Sequence, residues 1–330
     1  MAHTPPPHPD GFATPSALQV LLTREQGLRG ADGRDLQRGA DAGALERIRR
    51  GVFLPSEEWR NLDGRARHLM RMRAVAETRH SQPVYSHVSA AALWGLPIIG
   101  HWSEQVHLLA PFNSGARSKN GVIWHHDAFV DDDVVELDGV FVTSLQRTLI
   151  DLARTSSFLS AVASLDHGTR RQLVVPHGSP WNGVPKEVLL ERLAREGKRR
   201  GSSRARAAVA FSDNRSGSPG ESLSRGQIHL CDFPPPLLQV AFERSDGGND
   251  VVDFDWPDFA LIGEFDGKAK YRREEYTAGL PIEEIVWREK LREDRLRSQD
   301  RRVVRWVWDE AMRRATLRAI LLKAGLRPAR

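Results

Sequence analysis

Val251-Val252-Asp253-Phe254-Asp255-Trp256-Pro257-Asp258-Phe259-Ala260-Leu261-Ile262-Gly263-Glu264-Phe265-Asp266-Gly267-Lys268-Ala269-Lys270 is the stretch on which the reading of this chain turns. Two apolar-rich runs flank a Pro-Asp break. In an extended chain alternate residues share a face, so Glu264, Asp266, Lys268 and Lys270 line one side of the second run, with Phe265 and Ala269 on the other. Charged groups in such a run are costly unless they serve a site. If Pro257–Ala260 form a four-residue turn, Trp256 pairs with Leu261 and Asp253 lies opposite Glu264, with Cβ atoms about 5 Å apart. A slip of one residue would turn Asp253 away. The alternative is an ordinary surface hairpin whose charges pair with one another.

Outward from this pair, a helix starts at Glu221 after Pro219-Gly220, and a strand follows at Leu237–Phe242. After a turn at Asp246–Asn249 come Val251–Trp256 and a long strand Phe259–Tyr271. A helix Ile282–Ser298, a strand Arg302–Trp308 and a helix Glu310–Ala324 close the chain. The order predicts one mixed sheet flanked by helices. Carboxylates without His or Cys suit Mg²⁺ or Mn²⁺ better than zinc. Asp253, Glu264 and Asp266 are the candidate ligands, with Glu221 acting through water. Such a cation polarises a phosphoryl oxygen and acidifies a bound water, as phosphodiester hydrolysis requires. Lys268 or Lys270 would orient the water and offset transition-state charge. Trp287, Trp306 and Trp308 are expected in the core.

The front of the chain reads differently. Residues 1–11 are Pro-rich and expected to be disordered. Over 12–57, Thr23–Gln26 has capping-box spacing, Gly33–Gly43 suggests a second short helix, and Leu45–Pro55 is a basic ribbon turning at Gly51. This predicts a winged helix-turn-helix, with Arg34 and Arg38 on the helix side and Arg47, Arg49 and Arg50 on DNA phosphates. The alternative is a packing module with a solvated basic face.

Residues 58–197 read as an α+β middle domain. Helices are expected at Ala66–Arg79, Tyr85–Leu96, Leu145–Arg154 (capped by Thr143) and Phe158–Thr169, and strands at Val106–Ala110, Gly121–His126 and Val134–Val142. His125 and His126 point to opposite faces, so they are not expected to share a metal ion. Asp131–Asp133 reads as a solvated loop. Eight Arg or Lys residues against three acidic ones between Glu191 and Arg215 mark a basic linker or helix at 198–219. A last domain spans 220–330.

The 330 residues suggest two or three domains. Net charge is +5, with a pI near 9.6, which permits nucleic-acid binding without requiring it. The longest apolar stretch, Ala90–Ile99, is about half the ~20 residues of a spanning helix. The N-terminus lacks the basic and apolar regions of a secretory signal. A single cysteine, Cys231, leaves no intrachain disulfide framework. A soluble cytoplasmic protein is expected.

Glu221, Asp253, Glu264-Phe265-Asp266-Gly267, the helix with Glu289-Lys290 and Glu293-Asp294, and Val303-Val304-Arg305-Trp306 together resemble the PD-(D/E)XK nuclease superfamily. The likeness is to the branch near very-short-patch-repair endonucleases and covers roughly residues 216–330. The front, with Ser86–Ala91 and Trp94–Pro97, resembles AbiEi-type antitoxin or regulator proteins. The first resemblance implies a restriction-endonuclease-like fold, a divalent metal (Mg²⁺ or Mn²⁺) and DNA as substrate. Asp253 and Glu264 match its first and second motif carboxylates. Where that motif places lysine two residues later, this chain has Asp266, and Lys268 lies about 7 Å further along the strand. Either the lysine has migrated along the strand, or Lys290, one turn from Asp294, replaces it; otherwise the site binds metal but cuts slowly or not at all.

The expectation is a metal-dependent DNA endonuclease or nickase, targeted by the front region. The alternative is a non-catalytic DNA-binding regulator with a degenerate nuclease domain. A homodimer, or a toxin or regulatory partner, is compatible with either.

Overall fold

The computed structural model describes residues 20–28, 34–79, 81–173, 181–244, 246–267, 282–297 and 300–329. The expected tail 1–11, Lys268, Lys270 and the rest of the long strand beyond Gly267 lie outside them. The chain forms two units, Met1–Ser156 with Arg170–Ala207, and Ser157–Thr169 with Ala208–Arg330. Residues 157–169, expected within the middle domain, thus belong to the second unit. Both units mix helices with sheets, which places the protein in the α/β class.

In the first unit, β1 (Leu21–Leu22), α1 (Thr23–Leu28), α2 (Arg34–Asp41), β2 (Leu45–Arg49) and β3 (Val52–Pro55) form a small three-stranded module, with β3 central. Gly51 closes the β2–β3 turn at φ +77°, where a side chain would be strained. Leu22, Val52 and Leu54 bury against Met70 and Ala74. These belong to α4 (Gly64–Glu77), which follows α3 (Ser56–Asn61) and is capped by Asp63 accepting the Ala66 N–H at 2.7 Å.

A five-stranded sheet follows, built from β4 (Val84–Tyr85), β5 (Val106–Ala110), β6 (Val122–His126), β7 (Val134–Leu137) and β8 (Val140–Thr143) in the order β6-β5-β4-β8-β7. The single strand expected over 134–142 is a hairpin. Asp138 and Gly139 both take positive φ (50° and 78°), the signature of a two-residue turn. Helix α5 (His87–Trp94) fills one side. Helix α6 (Leu145–Thr155) is capped by Ser144 rather than Thr143, whose hydroxyl bonds Thr148 instead. Asp133 corrects the solvated-loop reading. It is buried and receives Arg147 together with Arg192 of α8 (Lys186–Glu196).

The second unit takes α7 (Phe158–Gly168) and, after α9 (Ser202–Phe211), α10 (Pro219–Leu230). Strands β9 (Leu237–Glu243), β10 (Asn249–Trp256), β11 (Leu261–Asp266) and β12 (Arg302–Val307) stand side by side in chain order. The first three run antiparallel and β12 parallels β11, the crossover being α11 (Ile282–Arg297). The expected final helix is two, α12 (Trp308–Met312) and α13 (Arg314–Lys323), separated by Arg313 in extended conformation.

Helix α10 covers one sheet face. Trp306 donates its indole N–H to Ser224 at 2.8 Å, and the Phe265 ring lies where a Cβ on Gly220 would sit, only 2.0 Å away. Helix α11 covers the other face through Leu296, packed with Val252 and Ile262. A buried pair, Arg225 to both oxygens of Asp166 at 2.8 Å, holds α10 to α7. Trp306 is core as expected, whereas Trp287 is 55% exposed. No helix among the described residues is long and apolar enough to cross a membrane.

Candidate functional site

The register of the decisive stretch follows its turn. Pro257–Phe259 form one 3₁₀ turn and Ala260 takes φ 46°, so Trp256 pairs with Leu261 and Phe254 with Gly263. The ladder ends there, so Asp253 and Glu264, which follow it, do not form a ladder pair. The Asp253 carboxylate accepts the Phe265 backbone N–H at 2.8 Å. Glu264 lies on the same sheet face as Ile262, towards α11, and is buried.

The opposite edge of β10 is distorted at the same point. Val252 pairs with Val240 and Phe254 with Leu238, but the ladder omits Asp253 and Gln239 between them. Gln239 has φ 51°, a left-handed conformation unusual inside a strand. Its side-chain amide donates to Glu221 Oε2 at 2.8 Å and lies 3.3 Å from Asp253 Oδ1. Glu221 sits in the first turn of α10, where Ser218 is the N-cap, and also accepts the Gly217 N–H at 2.6 Å. One amide therefore joins carboxylates from a helix start and a strand. Gln239 carried no sequence signal, because nothing local marks a strand residue for left-handed backbone.

Glu264 is claimed from the helix side. Arg292 donates to Glu264 Oε1 and to the Val251 carbonyl, each at 2.7 Å. Arg295, one turn on, grips both oxygens of Asp250 at 2.7 and 2.9 Å. Arg292, Arg295 and Leu296 form the face of α11 that meets the sheet. Lys290, the candidate replacement for the motif lysine, and Asp294 are both exposed. Burial pushes the Glu264 carboxyl up to about 7. Arg292 opposes that rise, and neighbouring Asp253 reinforces it. Asp266, half-buried at the end of β11, pairs in the ladder with Val307. Among the described residues, no group of three or more His, Cys, Asp or Glu side chains is placed to hold a metal ion.

The first unit carries the other candidates. Arg34, Arg38, Arg47 and Arg50 are exposed, and Arg38 pairs with Asp35. Arg49 is half-buried and donates to the Asn120 carbonyl at 2.5 Å, so it tethers the ribbon. Cavities of about 610 and 540 Å³ flank the β2–β3 turn, and Arg47 and Arg50 line both.

A buried imidazole cluster was not legible in the sequence. His125 stacks on His87 at 3.5 Å between centroids, and its Nε2 lies 2.9 Å from His107 Nδ1. His126 turns away to the Ala116 carbonyl. Burial holds His107 and His125 down at about 4, and His87 well below its ordinary range. Beside them Arg147, almost wholly buried, contacts Asp127, Asp133 and Asp151 at 2.7–3.4 Å.

No family model matches the chain. It is similar to two Mycobacterium tuberculosis proteins, the uncharacterized proteins Rv2248 (strain H37Rv) and MT2308 (strain CDC 1551 / Oshkosh). Each is 27% identical over 205 residues, covering 60% of this chain and 70% of the relative. Among solved structures, the RV2827C protein of M. tuberculosis aligns with a TM-score of 0.36 and 14% identity, over 72% of this chain and 87% of that one.

Proposed function

We propose that this protein is a metal-dependent DNA endonuclease or nickase, with phosphodiester hydrolysis in the second unit and DNA contact in the first. The observation that carries the reading is Asp253 bonded to the Phe265 N–H beside Glu264, where the β10–β11 ladder ends, with Glu221 tied to Asp253 through Gln239. The order α10, β9, β10, β11, α11, β12 supports it, matching the helix and strand order expected from the sequence for a mixed sheet flanked by helices.

The residues fit Mg²⁺ or Mn²⁺. Such ions take one or two protein carboxylates and complete their shell with water and phosphate, and Glu264 is a buried carboxyl with Asp253 as its acidic neighbour. When bound, the cation supplies Lewis-acid activation of the phosphoryl group and of a water. Asp253 and Glu264 would hold it. Gln239 fixes the Asp253 carboxylate, and Glu221 is placed to orient water. In the first unit Arg34, Arg38, Arg47 and Arg50 would contact DNA phosphates, making affinity fall steeply with salt.

Purified protein with Mn²⁺ or Mg²⁺ is expected to nick supercoiled plasmid. Asp253→Ala and Glu264→Ala should each lower the rate at least about 100-fold while the fold persists. Wild-type protein inert on duplex, single-stranded and branched DNA overturns the reading.

A second reading is a DNA-binding regulator or antitoxin-like protein of the cytoplasm, acting with a toxin or regulatory partner. Asp266 in the lysine position and the Arg292–Glu264 pair favour it. Its signature is salt-dependent DNA affinity that is unchanged in Asp253→Ala and lost in the double variant Arg47→Ala, Arg50→Ala.

A further inference from the structure

The position two residues after Glu264 holds Asp266, so β11 offers no cation there for a phosphate. The structure brings one from α11. Arg292 lies 2.7 Å from Glu264 Oε1 and is braced by the Val251 carbonyl at the same distance. The helix beneath it is fixed on both sides of the contact. Arg295 grips Asp250, and Leu296 packs between Val252 and Ile262. The Arg292 side chain keeps 20% of its surface, whereas Glu264 keeps 9%. The guanidinium therefore meets the buried carboxylate while keeping part of its surface in solvent.

We propose that Arg292 is the phosphate-binding cation of this site: it neutralises Glu264 until the divalent metal ion takes that carboxylate, and then grips a DNA phosphate oxygen. This deepens the hydrolase reading and rests on it. A guanidinium suits the exchange because it stays protonated and its planar fork matches two oxygens of either carboxylate or phosphate.

The assignment has a consequence that a structural arginine lacks. Arg292 and the metal ion compete for Glu264 Oε1, so removing the guanidinium should tighten metal binding while slowing hydrolysis. An arginine that only braces α11 would, on removal, slacken the carboxylates and weaken both.

The experiment pairs calorimetric Mn²⁺ titration with plasmid nicking for the full chain, as wild type, Arg292→Met, Arg292→Lys and Glu264→Ala. Arg292→Met is expected to bind Mn²⁺ several-fold tighter and to cut about 100-fold more slowly, the usual cost of one transition-state donor. Arg292→Lys keeps the charge without the fork and should fall between on both measures. Arg292→Met that binds Mn²⁺ no more tightly than wild type, or cuts at the wild-type rate, overturns the assignment. If the methionine variant does not fold, Arg292→Lys decides alone, and wild-type values on both measures overturn it. Wild type that neither takes up Mn²⁺ nor nicks DNA fails at the hydrolase reading itself, whatever the variants do.

Discussion

The arginine-rich cluster of the first unit and the carboxylates around Gln239 in the second differ in how their charge is met, although the second unit also holds the balanced pair Arg225–Asp166. In the first, Arg147 is surrounded by Asp127, Asp133 and Asp151, while Arg192 and Arg154 share the surplus acid with Glu196. Every carboxylate there meets a guanidinium, and the neighbouring histidines stay neutral. In the second, the Gln239 amide bonds both Glu221 and Asp253, and Glu264 pairs with the partly exposed Arg292. A balanced network holds a fold together. On the proposed reading, the second set is the one that would hold a cation.

The largest expected effect tests the balanced side. Arg147→Met leaves three carboxylates around an apolar side chain, and breaking a buried ion pair typically costs about 3–5 kcal/mol. Chemical denaturation should show the first unit unfolding early, with the second unchanged. If the loss stays below about 1 kcal/mol, the network is not what holds this unit.

pH should separate the units next. His107 and His125 fall from 6.5 to about 4 on folding, so the unfolded chain binds protons first as pH drops. Their stability contribution is complete above 6.5 and is lost as pH falls towards 4, on the order of several kcal/mol in total. Glu264 does the reverse. Its carboxyl rises from 4.5 to about 7 on folding, so its contribution is complete below 4.5 and is lost as pH rises through 7. With chelator present, hydrogen exchange between pH 7 and 5 should show the first unit loosening and the sheet around Glu264 tightening. Parallel behaviour of both would break the contrast.

A smaller effect sharpens it from the second unit. Glu264→Gln removes a buried charge but keeps an acceptor for Arg292. The variant should be as stable as wild type at pH 8, or more stable by about 1 kcal/mol, and should no longer nick DNA. A carboxylate that mattered only for folding would make the change destabilising.

Local rules explain which parts of this could be read from sequence. The Pro257–Ala260 turn set the pairing of Trp256 with Leu261, because pairing outward from a short turn leaves one solution, and the ladder ends at Phe254–Gly263, before Asp253 and Glu264. The ribbon turn at Gly51 and the helices at 34–41, 64–77 and 158–168 were equally local. Partners chosen by tertiary packing were not legible. Arg292 rather than Lys290 reaches Glu264 because the Arg295–Leu296 face of α11 meets the sheet, and only the docking of the helix selects that face. Trp287 looked like core by residue type alone, yet it lies off that face. His87, His107 and His125 are far apart in sequence and meet only once β5, β6 and α5 assemble.

Gln239 offers the finest test, because its backbone and side chain pull in opposite directions. A non-glycine residue at φ 51° within a strand carries strain of about 1 kcal/mol or more, which glycine would relieve. Its amide meanwhile links Glu221 and Asp253. Gln239→Gly should therefore leave the melting temperature unchanged or slightly raised, since the relief is partly cancelled by the entropy glycine adds to the unfolded chain. Mn²⁺ affinity and nicking should both drop, by roughly tenfold, as for loss of an outer-shell hydrogen bond to a metal ligand. Gln239→Ala separates the two contributions, since it loses the amide and keeps the strain, so it should be less stable than the glycine variant and equally impaired in binding. If both variants bind Mn²⁺ like wild type, the kink at Gln239 belongs to the sheet and not to the carboxylates it touches.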